Sequence, residues 1–373
     1  MIQESATFIQ VLLDLILWVL IFLTLRKSYN TPFCLPSSSR RFGIVLILLF
    51  CLFAFWGGDY FHYKAAFIDF NTTGYNNQEK IYEWFYSTFS FSYTAFRLAI
   101  WGLALSALLW SYRRIAQSFD LALFIFGCCF LPIYSYARVS AAMSIILLGL
   151  SFIVNKEKNR LLSVIFGLTL LAVSAFFHKS APLGIVMALA ALFMVNANRT
   201  RLFIVAIMAP LIVLVIQQAF DIFAAVDLDS DTFITEHYRD RFFEASPNEA
   251  SNWSIGPFVN SIVTRFPSYF IAFLYVVLAW TGDFKKLQIG ERAFASYAFC
   301  VTLLSLLFSL DLGVSTNVLQ YRTLYFAFPA NAVFLAGVRK RGIRPKLFTP
   351  IFYLAVFSGF YQVIYAAYCA LVA

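Results

Sequence analysis

The sequence predicts an all-α polytopic membrane domain of about twelve spanning helices, and three observations support that reading. Of its 373 residues 61% are hydrophobic, and the mean hydropathy is +0.77. Apolar runs recur from one end of the chain to the other, near residues 6–25, 42–56, 95–111, 121–137, 140–154, 161–177, 182–195, 202–217, 261–280, 293–310, 323–338 and 347–370. Basic residues alternate loop by loop. With the segment after the first run placed in the cytoplasm, the inner loops 26–41, 112–120, 155–160, 196–201, 281–292 and 339–346 hold 19 of the 28 Lys and Arg. Only Asp120, Glu157, Asp283 and Glu291 among the 19 acids share that side. The positive-inside rule then puts both termini outside.

Each run reads as a helix by its length and its lack of charge. The first run follows MIQES and precedes Arg26 and Lys27, which is the reverse of a secretory signal's polarity, so it is expected to stay as a span. Asp14 near its middle is costly in hydrocarbon and is expected to face the bundle interior. Two outer segments are too long for turns, residues 57–94 and 218–260, and they are expected to form the mouth of a site. In the first, Ile81, Trp84, Phe85, Thr88 and Phe89 recur at helical spacing and predict a helix lying in the membrane interface. The second gathers aromatic residues among acids, Phe242, Phe243 and Trp253 with Asp227, Asp229 and Asp231.

Composition excludes several classes of function. The whole chain, 1–373, forms one membrane domain, because no loop has room for a second. The net charge of +9 lies in short loops beside spans, where it orients helices and meets anionic lipid, so no nucleic-acid partner is implied. The six cysteines fall in or beside spans, except Cys34, and build no disulfide framework or thiolate metal site. Asp227, Asp229 and Asp231 alternate like the start of a calcium loop, but Thr232 and Tyr238 stand where that loop needs Gly and Glu. No phosphate-binding glycine loop, dinucleotide fingerprint or H-E-x-x-H occurs, so neither metal nor cofactor is expected.

Several outer polar residues remain to be explained. Asp59 follows Gly57 and Gly58 at an outer span end, where a partly desolvated carboxylate can serve as a general base. Its bland reading is a helix cap. Arg138 interrupts apolar sequence in YARVSAAM (136–143), at a depth where an arginine needs a partner or a water-filled cavity. Arg322, in QYRTLYFAF (320–328), is placed alike. With Arg97, Arg265 and Lys179 they form a set of outer cations that topology does not require. Arginine suits diphosphate because its planar fork binds phosphate oxygens bidentately. His178, in AFFHKSA (175–181), closes the sixth span and reads as structural, as a base or as a phosphate donor.

At these residues the chain resembles the EpsG family of bacterial exopolysaccharide proteins, related in layout to Wzy-type O-antigen and capsule polymerases. The likeness runs from GGDYFHYKAAF (57–67) through Glu79 and IYEWFYSTF (81–89) to YARVSAAMSIILLGLSFI (136–153) and FFHKSAPLGIV (176–186), fades beyond 190 and returns at YRTLYF (321–326). Val139 and Ser140 follow the arginine where the family more often shows Gln. The resemblance implies a GT-C-like layout and a polymerase at the outer face of the inner membrane, joining oligosaccharide repeat units carried on undecaprenyl diphosphate. The residues fit that chemistry: Arg138 and Arg322 are expected to hold the diphosphate, Asp59 or His178 to take the acceptor proton, and Tyr63, Glu79, Arg265, Lys179 and Tyr325 to bind substrate. The implied partners are the lipid-linked glycan, membrane lipid, and a chain-length regulator and flippase of the same pathway. Other functions compatible with the layout are a lipid-linked sugar flippase or exporter, an O-antigen ligase and a single-sugar transferase. Ionisable residues gathered at the outer rim rather than the midplane disfavour transport.

Overall fold

The structure is a computed structural model, and it describes residues 8–30, 33–53, 59–74, 79–132, 137–155, 159–208, 210–211, 255–308 and 323–372. Among the described residues it is all helix and irregular connection, with no strand. The apolar runs become α1 (Phe8–Leu25), α2 (Ser37–Phe53), α5 (Tyr93–Ile115), α6 (Phe119–Ile125, continued by a π turn Phe126–Phe130), α7 (Ala137–Val154), α8 (Arg160–Ser174), α9 (Ala181–Met194), α10 (199–208), α11 (Ile255–Thr281), α12 (Ile289–Phe308), α13 (Phe328–Lys340) and α14 (Pro345–Val372). Between α2 and α5 lie two further helices, α3 (Asp59–Thr73) and α4 (Ile81–Thr88). Five helices among the described residues, those containing Tyr93–Ile115, Ala137–Val154, Ile262–Thr281, Ile289–Leu307 and Pro345–Tyr365, are long and apolar enough to cross a membrane. Three shorter apolar helices, Phe119–Phe130, Arg160–Ser174 and Ala181–Met194, accompany them. This is a multi-pass membrane architecture.

The central helix is α7. Every residue from Val139 to Phe152 is buried, so a helix that is apolar on all faces is enclosed by others, chiefly α5, α8, α9 and α12. Small residues allow this. A Cβ added to Gly149 would stand 2.8 Å from the Gly167 carbonyl oxygen, and one on Gly167 would stand 2.7 Å from that of Gly149, so α7 and α8 cross with their backbones touching. Asp14, as expected, is buried in the bundle, only 1% exposed.

The loops expected inside meet one another at one end of the bundle. Asp120 accepts from the Leu35 amide at 2.8 Å and from Arg40 Nη2 at 2.7 Å, and Ser118 Oγ donates to the Phe33 carbonyl. Glu291 is 1% exposed and accepts from Arg341 Nη1 at 2.6 Å and from the Gln117 and Gln288 amides at 3.1 Å. Asn155 donates to the Arg114 carbonyl, and Arg292 to Asn196. Three of the four acids on that side are therefore structural anchors, each holding basic residues from other loops.

Asp283 is the most exposed of these anchors. Hydrogen bonds from Lys286 and Arg344 hold its carboxyl below the usual carboxylate range, at about 2. A folded value below the unfolded 3.8 means that this stabilisation is complete above about pH 4 and is lost as pH falls towards 2. Because the pair is surface-exposed, its contribution is only about 0–1 kcal/mol. Asp283→Asn should lower the detergent-solubilised melting temperature slightly at pH 7, and the gap to the parent should close between pH 4 and pH 2. A gap that widens over that range would assign the effect to something other than the ion pair.

Candidate functional site

At the opposite end of the bundle, polar side chains converge on the first turn of the central helix. Arg138, the second residue of α7, donates from Nε to the Tyr63 hydroxyl at 2.7 Å and from Nη1 to Glu79 Oε2 at 2.8 Å. Tyr63 comes from the first turns of α3 and Glu79 from the segment leading into α4, so one guanidinium joins three elements. Its carbon also lies 4.7 Å from the Tyr63 ring centre and 5.8 Å from that of Tyr82. The Arg138 side chain is 19% exposed and that of Glu79 10%. No acceptor among the described residues takes the Nη2 edge of Arg138. A guanidinium so placed has the fork geometry that pairs with two oxygens of one anion.

The turn before α9 closes the cluster. Glu79 Oε1 accepts from the Lys179 main-chain amide at 3.0 Å, so it is the backbone of Lys179 that binds the carboxylate. Tyr82, fully buried, donates from its hydroxyl to the Phe177 carbonyl at 3.1 Å, and burial pushes its phenol well above the usual range. It therefore remains a neutral donor. Ser180 precedes α9 as its cap residue, yet its hydroxyl turns back to His178 Nδ1, 2.5 Å away. The Ser180 amide donates to the same nitrogen at 3.1 Å. His178 itself is 8% exposed.

Five of the expected site residues are thus brought together: Arg138, Tyr63, Glu79, His178 and Lys179. Asp59 is the first residue of α3, one turn before Tyr63 and on the same face of that helix; its side chain lies outside the described residues. Arg322 and the segment 218–254 also lie outside them. Arg265 stands on α11, which packs on α12, α13 and α14 rather than on the cluster's elements. Tyr325 is 3% exposed in an aromatic core, its ring 5.6 Å from that of Phe328, although its neighbour Phe326 packs on Gly184 of α9.

Two features escaped the sequence. The expected interfacial face of residues 81–89 is rotated: Tyr82, Phe85 and Tyr86 turn inward and Trp84 stands 61% exposed. Packing against Phe67, Phe96 and Phe177 decides this, because all of these side chains are aromatic and hydrophobic spacing alone does not choose among them. Arg97 is the second. It is 5% exposed, donates to the Cys51 carbonyl at 2.6 Å near the end of α2, and lies 4.6 Å from the Tyr60 ring centre. Tyr93 adds a hydrogen bond to the Tyr60 carbonyl at 2.8 Å, so the first turn of α3 is fastened from behind. Only the fact that Arg97 lies within an apolar run hinted at such a role. A cavity of about 230 Å³ between α9, α10 and α12, lined by Met187, Met194, Met208 and Cys300, is apolar and separate from this cluster.

The fold and the cluster define a multi-pass helical membrane protein with a charged, tyrosine-lined constellation at the end opposite its basic loops. The chain belongs to the EpsG family, whose model matches residues 39–371. That family is associated with polysaccharide polymerase-like proteins. The match extends well beyond residue 190, where the motif resemblance fades, so the second half of the chain carries the family's pattern without its recognisable motifs. No curated protein and no solved structure matches the chain.

Proposed function

We propose that the protein is a glycosyltransferase of the polymerase type, joining oligosaccharide repeat units carried on undecaprenyl diphosphate at the outer face of the bacterial inner membrane. The observation that supports this most is Arg138, a largely enclosed arginine at the head of the central helix whose Nη2 meets no acceptor among the described residues. Sidedness rests on the charge pattern: the loops rich in Lys and Arg, tied together by Asp120 and Glu291, are cytoplasmic, and the Arg138 cluster then faces the periplasm or cell exterior.

In this reading an acceptor sugar hydroxyl attacks the anomeric carbon of the lipid-linked donor. The new C–O bond forms as the bond to the diphosphate breaks, and the electron pair leaves with the diphosphate. Arg138, joined by Arg322, takes up the developing negative charge, which is where a donor contributes most to rate. The hydroxyl proton passes to a base, for which Asp59 and His178 are the candidates. Tyr63 and Glu79 hold the Arg138 side chain in place until the substrate arrives. The Lys179 main chain holds Glu79 in this arrangement, Arg265 and Tyr325 stand apart from the Arg138 cluster, and a chain-length regulator and flippase of the same pathway are the proposed partners.

Purified protein given undecaprenyl diphosphate repeat units should make longer lipid-linked chains, and should do so in excess EDTA. Strict dependence on added magnesium or manganese would refute metal-free charge stabilisation. Transfer of a single unit to lipid A core without chain growth would identify a ligase, and intact donor moved across a vesicle membrane would identify a flippase.

A further inference from the structure

We propose that the apolar cavity between α9, α10 and α12 is a lipid site: it takes an acyl chain of an anionic glycerophospholipid whose phosphate is held by Arg201 and Arg292. This goes beyond the glycosyl-transfer reading above and does not depend on it.

The walls define the chain. About 230 Å³ is lined by Met187, Phe193, Met194, Met208, Cys300 and Leu304, with almost no polar surface. A dry cavity of roughly 150 Å³ already accepts a benzene ring, so this one has room for a stretch of hydrocarbon. Nothing on its walls would replace the water lost by a sugar. The polar atoms beside it are satisfied from other sides: the Met194 carbonyl accepts from Ser296 Oγ at 2.9 Å and from the Tyr275 hydroxyl at 3.3 Å. Methionine suits such walls to a flexible guest, because its unbranched thioether side chain adapts its shape. At the rim Phe193, Ile204 and Met208 are 48%, 41% and 46% exposed among the described residues, so the cavity opens sideways, towards hydrocarbon in a membrane.

The charges define the head group. Arg201 lies over the Phe193 ring, 5.0 Å from its centre, and donates from Nη1 to the Phe193 carbonyl at 2.6 Å. It stands one turn before Ile204 and Val205 of the cavity wall, so head group and chain can be engaged together. Arg292, near the start of α12, donates from Nη1 to Asn196 at 2.8 Å, and its buried Nε meets no acceptor among the described residues. Arg199, from the same turn as Arg201, donates to the Trp280 carbonyl. Among the described residues none of these three arginines pairs with a carboxylate, since Asp283 is taken by Lys286 and Arg344, and Glu291 by Arg341. Topology accounts for the side on which they stand, but not for guanidiniums without counter-ions beside an open apolar cavity. A phosphodiester with attached chains supplies both missing parts. With the neighbouring acids already paired, nothing favours the cation of a zwitterionic head group, so a net negative one is selected.

The test uses the full chain in phosphatidylcholine vesicles holding a trace of phosphatidylglycerol with a diazirine in one acyl chain. After photolysis, labelled residues are mapped by mass spectrometry. Phosphatidylglycerol should label Met187, Phe193 and Met208 roughly tenfold more than phosphatidylcholine bearing the same chain, the scale of basic residues acting on an anionic lipid. Ile16 and Leu168, exposed on α1 and α8, should be labelled alike by both. Arg201→Gln with Arg292→Gln should bring the two lipids level at the cavity. Ala190→Phe, which fills the cavity and leaves the charges, should abolish labelling of Met187 by either lipid and leave Leu168 unchanged. Equal labelling of the cavity by both lipids in the parent would make it ordinary lipid-facing surface and overturn the proposal. Stronger labelling by a diazirine-bearing polyprenyl diphosphate would assign it to the lipid of the proposed reaction. No labelling by any lipid would show that the chain itself fills it, and either result would equally overturn the proposal.

Discussion

Arg138→Ala should lower elongation by at least tenfold to a hundredfold, because an arginine contact to a charged oxygen made in the transition state is worth about 1.5–3 kcal/mol. Arg138→Lys should also fall sharply, since an ammonium keeps the charge but cannot donate to Tyr63, Glu79 and phosphate in one plane. The salt bridge complicates the reading in a useful way. Removing the arginine leaves the nearly buried Glu79 without its counter-ion, though still accepting from the Lys179 amide, which can destabilise by about 3–5 kcal/mol. The double variant Arg138→Ala with Glu79→Ala removes that leftover charge. If Arg138 only completes an ion pair, the double variant should recover both thermal stability and activity; if it holds substrate, stability should recover and activity should not. Wild-type polymer length and amount from Arg138→Ala at normal expression would remove the residue from the site.

Glu291→Ala should produce the largest loss of stability, with no effect on the chemistry of each folded molecule. Its carboxylate is 1% exposed and satisfies the Arg341 guanidinium and the Gln117 and Gln288 amides together. Truncation orphans all three in a site too tight for easy relaxation, since a Cβ on Gly337 would come within 2.9 Å of the Glu291 carboxyl carbon. The expected cost is about 3–5 kcal/mol, seen as poor membrane yield and a lower melting temperature in detergent. The surviving folded fraction should elongate at the parent rate per molecule, because the anchor lies at the far end of the bundle from Arg138. Melting at the wild-type temperature would show that the inner loops are held by something else.

Much of the architecture was legible because a bilayer imposes a one-dimensional rule. A run of apolar residues without charge has few options but a helix, and the apolar runs do correspond to helices α1, α2 and α5 to α14. The special status of Arg138 was legible for the same reason: an arginine in such sequence is costly, and cost implies a partner. What the sequence left undetermined was the partner. Glu79 lies 59 positions from Arg138 and Tyr63 lies 75, and no spacing rule reaches across such distances.

Periodicity was also a weak guide where aromatic residues adjoin. In residues 81–89 the exposed Glu83, Ser87 and Thr88 mark the outer side, but which aromatics turn inward was settled by Phe67, Phe96 and Phe177 packing around Tyr82, Phe85 and Tyr86. The inner acids show the same limit. From sequence Asp120, Asp283 and Glu291 were exceptions to a charge rule; folded, each binds a basic residue of another loop at the same end of the bundle.

The sequence by itself determined that this chain is a multi-pass helical membrane protein, which loops share a side and which outer cations need explaining, because hydrophobicity and charge act locally along the chain. Only the tertiary structure decided that Arg138 is met by Tyr63 and Glu79, that Lys179 contributes its amide, and that His178 turns Nδ1 towards Ser180. Those outcomes depend on hydrogen-bond directions between atoms that only folding brings within 3 Å or so of each other.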